Sequence, residues 1–522
     1  MGYDAIVVGA GHNGLAAAVH LAAKGWKVGV FEAASQPGGA VKTAEATLPG
    51  FRHDLYAMNL SLFAGSPFFA AHKDGLLRHG LAFVPAPDSF ATAFPDGTWL
   101  GVSRNLEQTA DRIAAMSSRD AEAWRAMVAR FAAEAPHIFA ILGSPMPSRK
   151  AAQAVWSAYR AMGMAGLGDM ARLLLSSPRD FLDRHFESAK LKAMMGVWGL
   201  HLDFPPDAAG GALFPYLESM ACQSFGMVIG QGGADTLVTA LTGYLRERGG
   251  ELHLDAPVTE VVRSGNKAGG VRLADGRTAE AKRAVIANVH PKRLFGQLLK
   301  EGGHEAYRAR LDGFKPGPAT MMIHYALDGL PNWAAGEALK RFAYVHLAPH
   351  YAAMTRVYDQ AKAGLLPDEP VLVVGQPTAL DPSRAPAGRH ILWVQVRVLP
   401  SAIAGDSAGQ IEGTDWDDVK GRYADRIDAL IERYAPGFRS TVLGRAVLSP
   451  EDLERDNPNL IGGDSLSGSH HLDQNFMFRP LFGWSRYKTP VERLFLVGAS
   501  TWPGAGVGAG SGFMLAKMLA GT

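Results

Sequence analysis

The feature that most constrains this chain is the run Gly9-Ala10-Gly11-His12-Asn13-Gly14, set between two stretches of opposite character. Before it, Tyr3-Asp4-Ala5-Ile6-Val7-Val8 reads as a short buried strand. After it, the Ala- and Leu-rich stretch from Leu15 to Lys24 predicts a helix, with Gly25 placed to end it. Lys27-Val28-Gly29-Val30-Phe31-Glu32 predicts a second strand, so the chain opens as a βαβ unit. A lone Gly-x-Gly-x-x-Gly says little; this context gives it chemical meaning. Gly9 permits the tight turn, Gly11 lets backbone N–H groups reach a pyrophosphate, and Gly14 lets helix and strand pack closely. The helix N-terminus then stabilises the phosphate charge. Glu32 stands at the end of the second strand, where a carboxylate accepts both hydroxyls of an adenosine ribose.

That motif does not separate NAD from FAD. Gln36-Pro37-Gly38-Gly39-Ala40-Val41-Lys42-Thr43 follows the acid at once, with two adjacent glycines that let the chain pass against the same ligand further along its length. Contact over that distance favours FAD. A second dense glycine cluster closes the chain: Leu496-Val497-Gly498-Ala499-Ser500-Thr501-Trp502-Pro503-Gly504-Ala505-Gly506-Val507-Gly508-Ala509-Gly510-Ser511-Gly512. It follows the predicted strand Arg493 to Val497 and opens a helix predicted from Ser511 to Leu519. Backbone N–H groups at such a helix start suit an electron-rich group, such as the flavin pyrimidine edge.

The 522 residues are too many for one simple core. A content of 47% hydrophobic and 20% charged residues is ordinary for a soluble globular protein. The net charge of +2, without a basic run interleaved with aromatics, sets nucleic acid aside. Cys222 is the only cysteine, which excludes an internal disulfide and a Cys-x-x-Cys redox pair. No basic leader opens the sequence and no long apolar span occurs, so the expected place is cytoplasmic. Peripheral membrane contact stays open, as does a homo-oligomeric state.

Between the two glycine clusters the pattern changes several times. Residues 80–103 hold short β-like runs, and 105–222 are helical, with many Ala, Met and Leu and several Pro breaks. From Gly230 to Ala287 an α/β pattern returns, with a helix to Arg248 and a hairpin turn at Asp275-Gly276. Thr320 to Leu327 and His390 to Val398 read as strands, and Asp415 to Tyr434 as a helix. The expected class is α/β: a Rossmann-type domain from residues 1–79, 226–290 and 461–522, interrupted by an α+β substrate domain from 80–225 and 291–460.

These motifs resemble those of the phytoene desaturase-like flavoproteins, and within them the group of pyridine nucleotide-disulphide oxidoreductase domain-containing protein two. The resemblance rests on Val8-Gly9-Ala10-Gly11-His12-Asn13-Gly14-Leu15, Gly38-Gly39 with Thr43, Gly230-Gln231-Gly232-Gly233 and Asp255-Ala256-Pro257-Val258. It continues in Leu472-Asp473-Gln474, Phe478-Arg479-Pro480, Tyr487-Lys488-Thr489-Pro490 and the closing cluster, and so covers nearly the whole chain. It implies a glutathione reductase-like, two-domain amine oxidase architecture with FAD extended along the first domain. To the glycines and Glu32 it adds His12, Asn13, Ala33 and Thr43 as cofactor-binding residues. Val258 is implied near the adenine. Gly498, Ala499, Ser500, Gly506 and Val507 are implied near the ribityl chain and isoalloxazine. The chain departs from the group at Trp502-Pro503-Gly504-Ala505-Gly506, where a His-Pro-Gly-Gly-Gly-like run is usual. With Cys222 alone and no clear second nucleotide motif, disulfide chemistry and stable NAD(P)H binding are not expected.

The expected activity is hydride transfer from a C–H bond of a largely apolar, isoprenoid-like substrate to flavin, with oxygen or a quinone as acceptor. An amine oxidase, a flavin-dependent isomerase and a non-catalytic lipid-binding protein are the alternatives. The sequence assigns no catalytic base. His53 with Asp54, and His201 with Asp203, are ambiguous, with a structural role preferred for the first pair. A structural role is also favoured for His470-His471 with Asp473, because no further metal ligands stand at convincing spacing. Met162, Met164 and Met170 are expected in the core or a pocket wall. The stretch Arg149 to Leu175 is expected as an ordinary buried helix pair rather than a membrane-surface segment.

Overall fold

The computed structural model describes residues 2–299 and 303–521. Its first sheet has seven strands. Gly2–Val8 lies at the middle, parallel to both Val28–Phe31 and Thr278–Ala287. Parallel neighbours need a crossover, and the helix His12–Ala23 provides it. Lys24 caps that helix and Gly25 follows at φ 83°, the left-handed step that ends a helix on glycine. Glu251–His253 extends the sheet on one side, and Val258–Ser264 with Lys267–Leu273 forms an antiparallel hairpin on the other. Leu494–Leu496 returns from the far end of the chain to pair with Thr278–Ala287. Along Gly2–Val8, Ala5 and Val7 face the helices His12–Ala23, Asp235–Glu247 and Gly510–Ala520, while Ile6 and Val8 face the hairpin side. This period-two alternation buries both faces.

The second sheet, also of seven strands, runs in the order Val442–Leu448, Ala319–Leu327, His390–Leu399, Val371–Gly375, Tyr344–Leu347, Asp88–Ala93 and Trp99–Ser103. Its two faces have different partners. Leu392, Val394 and Val396 pack with the helix Trp416–Tyr434. Trp393 and Tyr344 turn the other way and join a cluster with the helices Ala189–Leu200 and Leu213–Phe225. Those helices, with Ser118–Leu142, form a cap over the sheet.

One expectation fails in this cap. Arg149–Leu175 is not a buried helix pair: only Ala151, Ala154, Ala158 and Leu173 are buried along it. Met164 is 71% exposed and Trp156 60% exposed, and Met162 and Met170 are half-buried. A narrow strip of alanines gives the helix one thin contact line, and Gly163 at φ 69° breaks its course. The methionines therefore form neither core nor pocket wall as a set. Among the described residues no helix is long and apolar enough to cross a membrane.

Candidate functional site

The C-terminal ends of the central strands of the first sheet converge on the glycine turn. Gly9 has φ 92°, and a Cβ on Gly14 would stand 2.5 Å from the Gly9 carbonyl oxygen and 2.9 Å from Asn288 Nδ2. No side chain there is compatible with this packing of helix on strand. Gly11 is the helix N-cap and supplies no side-chain cap, so the first turn offers its N–H groups outward. Glu32 Oε2 accepts from Ala10 N at 2.7 Å and Oε1 from Ala34 N at 3.0 Å. Each oxygen keeps a further acceptor position, which suits two vicinal hydroxyls. Ala33 beside it is exposed. Gly38 N donates to Ala10 O at 3.0 Å, and a Cβ on Gly39 would stand 3.3 Å from Gly11 Cα, so the second loop folds directly over the first. Ala256 N donates to Glu32 O at 2.8 Å, two residues before Val258.

The closing cluster docks on the same turn. Gly498 N donates to Ser511 Oγ at 3.0 Å, and that hydroxyl donates to Asn13 Oδ1 at 3.0 Å. Asn13 Nδ2 lies 2.9 Å from His12 Nε2. His12 is hydrogen-bonded to the backbone of Gly506, and burial lowers its pKa to about 4, so the ring is neutral near pH 7. A Cβ on Gly512 would fall 1.8 Å from the Asn13 carbonyl oxygen, so the closing helix packs on the first with nothing between. Ser500 is buried and Val507 is 8% exposed. The Ala499 carbonyl accepts from Arg479 Nε at 3.0 Å and Nη2 at 2.8 Å, which fixes this loop. Trp502, the departure from the family pattern, donates Nε1 to Ser144 O at 2.8 Å and is packed into the core.

Other sequence candidates have identifiable bonds. Thr43 Oγ1 donates to Asp54 at 2.7 Å and accepts from Asp235 N at 3.2 Å. Asp54 also accepts from Ala234 N at 2.7 Å and pairs with Arg384 at 2.5 Å. That knot ties residues 43–54, 234–235 and 384 together. His53 lies against Thr47, with Nε2 at 2.8 Å from its hydroxyl, and burial lowers the ring pKa to about 3. His470 Nε2 accepts from Ala505 N at 3.0 Å, His471 Nε2 lies 2.7 Å from Asp203 O, and Asp473 pairs with Lys315 at 2.9 Å. These three side chains have separate partners. Asp203 accepts from the Tyr358 hydroxyl at 3.0 Å.

Beside the Gly38–Gly39 loop, Leu55 N donates to Lys42 O at 2.9 Å and Ala57 N to Ala40 O at 3.3 Å. Between them, the Tyr56 carbonyl accepts from Trp393 Nε1 at 3.0 Å. The capped face of the second sheet is thereby anchored to the cofactor loop. The Tyr344 ring is 5.7 Å from that of Trp393. Above Tyr344, on the helix Leu213–Phe225, stands Glu218, which sequence reasoning missed. Its carboxyl lies deep in the molecule, and burial pushes its pKa up to about 7. The residue nevertheless keeps some open surface. No hydrogen bond or ion pair engages its side chain among the described residues. A carboxyl balanced near neutrality is suited to accept a proton. Only its being the one charged residue of a largely apolar helix marks it in the sequence, and that is a weak signal.

A glycine turn that opens a helix, a carboxylate beside it and a closing glycine-rich helix start docked on the same turn define a flavin-dependent oxidoreductase. A family model described as flavin containing amine oxidoreductase matches residues 14–309, more than half of the chain, which therefore belongs to this family. The rat (Rattus norvegicus) pyridine nucleotide-disulfide oxidoreductase domain-containing protein 2 is 30% identical over 542 residues, covering 97% of this chain and 91% of that protein. The neurosporene-forming phytoene desaturase of Rhodobacter capsulatus is 26% identical over 528 residues, covering 99% and 93%. The crystal structure of an oxidoreductase from Methanosarcina mazei has the same fold, with a TM-score of 0.63 at 18% identity and 99% of each chain covered. The cofactor is FAD, as the sequence motifs predict.

Proposed function

We propose that this chain dehydrogenates a C–H bond of a largely apolar substrate and gives a desaturated product. The observation that supports this most is the apolar face of the second sheet under the cap helices. Trp393, Tyr344, Phe90 and Trp198 belong to one apolar cluster with the cap helices, and Glu218 is the carboxyl set into it. FAD, when bound, supplies hydride acceptance. The surrounding residues position the substrate and exclude water, which is where most of the rate advantage of such a site comes from. Glu218 takes the proton lost from the adjacent carbon. The electrons leave to an external acceptor, oxygen or a quinone. The likeness to a phytoene desaturase supports the substrate class; the family model's reference to amines supplies the competing one.

Anaerobic bleaching of the visible flavin band separates the two. Isoprenoid and long-chain apolar compounds are expected to bleach it. Bleaching by primary amines alone would overturn the proposal.

A further inference from the structure

The second sheet carries a charge that its surroundings do not balance. Three arginines are set apart from solvent to different degrees: Arg384 and Arg479 are buried, and Arg397 is half-buried. Arg384 is fully buried and saturated: it donates to Asp54, to Asp381 at 3.3 Å and to the Gly230 carbonyl. Arg479 is equally buried, and its guanidinium is engaged by the carbonyls of Leu466, Ser467, Gly468, Ser469 and Ala499. Arg397 differs. It has one carbonyl, His201 O at 3.1 Å from Nη1, and a long contact of 3.4 Å from Nη2 to His201 Nδ1. Its Nε is buried without a partner, and no carboxylate pairs with it among the described residues. The acid whose field it feels, Asp464, already accepts from the amides of Gly317, Leu466 and Gly468.

The neighbours add no negative charge. Burial lowers His346 to about 3 and puts His201 well below the usual imidazole range, so both rings are neutral. Burial also lowers Arg397 itself to about 10, which leaves it cationic near pH 7. An unpaired buried guanidinium is costly, and an anion offsets that cost. The Nε–Nη2 edge, where Nε has no partner and Nη2 only the long His201 contact, presents two parallel donors, the geometry that matches the two oxygens of a carboxylate.

Position adds the rest. Trp393, Gln395 and Arg397 alternate along one strand and so share the face under the cap. Trp393 is tied to the cofactor loop, and Arg397 is about 13 Å farther along at about 3.3 Å per residue. The side chain of Gln395, between them, makes no hydrogen bond among the described residues. We infer that the substrate is an amphiphile whose carboxylate is held by Arg397, with its apolar tail along this face toward the flavin end. This rests on the dehydrogenase reading of the site and narrows its substrate class.

The test is calorimetric titration of the FAD-loaded enzyme with decanoate, decanol and acetate. Decanoate is expected to bind, with decanol and acetate at least tenfold weaker. In Arg397→Met decanoate should weaken roughly 10- to 100-fold toward the decanol value. Arg397→Lys, which keeps the charge and loses the fork, should retain part of the preference. Decanol binding as tightly as decanoate, acetate binding as tightly as decanoate, no binding by decanoate, or an unchanged preference in Arg397→Met would each overturn the inference. The wild-type comparison stands even where a variant does not fold. Flavin bleaching is a separate readout: Arg397-dependent binding without bleaching by any apolar compound refutes the dehydrogenase reading alone, and bleaching by neutral hydrocarbons without acid binding refutes this inference alone.

Discussion

The glycine-lined end of the first sheet and the capped face of the second sheet make their sites from different material. The first is built from backbone. Its specificity resides in where side chains are absent, as at Gly14 and Gly512, and in amides left open at a helix start. The second is built from side chains that three separate elements bring together: Glu218, Tyr344, and Trp393 with Arg397. A backbone site needs a contiguous run of permissive residues and leaves a motif. A side-chain site needs only that distant positions face one another, and it can change its ligand by substitution without disturbing the fold.

Ways to break this contrast follow from the largest effect to the smallest. Gly14→Val places carbon where the Gly9 carbonyl and Asn288 stand, so the purified protein should lose essentially all of its visible flavin band. A variant that still binds stoichiometric FAD would show the turn to be less constrained than its packing implies. Glu218→Gln should leave FAD bound and lower kcat by roughly 10²–10⁴-fold, the usual worth of a positioned base. In the wild type kcat/KM should rise with pH through about 7, as the carboxyl ionises, and the variant should lose that limb. The stability effect has the opposite sense. The fold favours the neutral carboxyl, so that contribution is present at low pH and is lost as pH rises through about 7. Glu218→Gln should therefore gain more in Tm at about pH 8 than at about pH 5, relative to wild type.

Asp54→Asn tests the knot that ties residues 43–54 to 384. It removes one partner of a buried ion pair whose side chains are 0% and 1% exposed, and should cost roughly 3–5 kcal/mol in denaturant unfolding. Glu32→Gln should weaken FAD by roughly tenfold and leave the substrate preference unchanged, because it touches only the ribose end. A change in substrate preference would contradict the separation of the two regions.

What was legible follows the same division. The opening βαβ unit, Glu32, the second glycine loop and the closing helix could be read because each rests on local rules that a short run of residues satisfies. Thr43 shows the limit of such reading: its hydroxyl is engaged by Asp54 and Asp235, residues that the sequence places far apart. Trp502 looked like a departure at the site, and its indole instead packs against the end of a cap helix. The helix Arg149–Leu175 was misread because Ala and Met suit a buried helix, while its tertiary partners turn out to cover only one strip of it. Glu218 and Arg397 gave no local signal. Their properties come from burial and from missing partners, which only the folded chain supplies.

A crystal structure of the FAD-loaded enzyme tests the central claim most directly. The account predicts the pyrophosphate at the first turn of His12–Ala23, the ribose on Glu32, and the ring system directed toward Trp393 and Glu218. A flavin bound with its ring away from those residues, or no flavin density with the glycine turns intact, would contradict it.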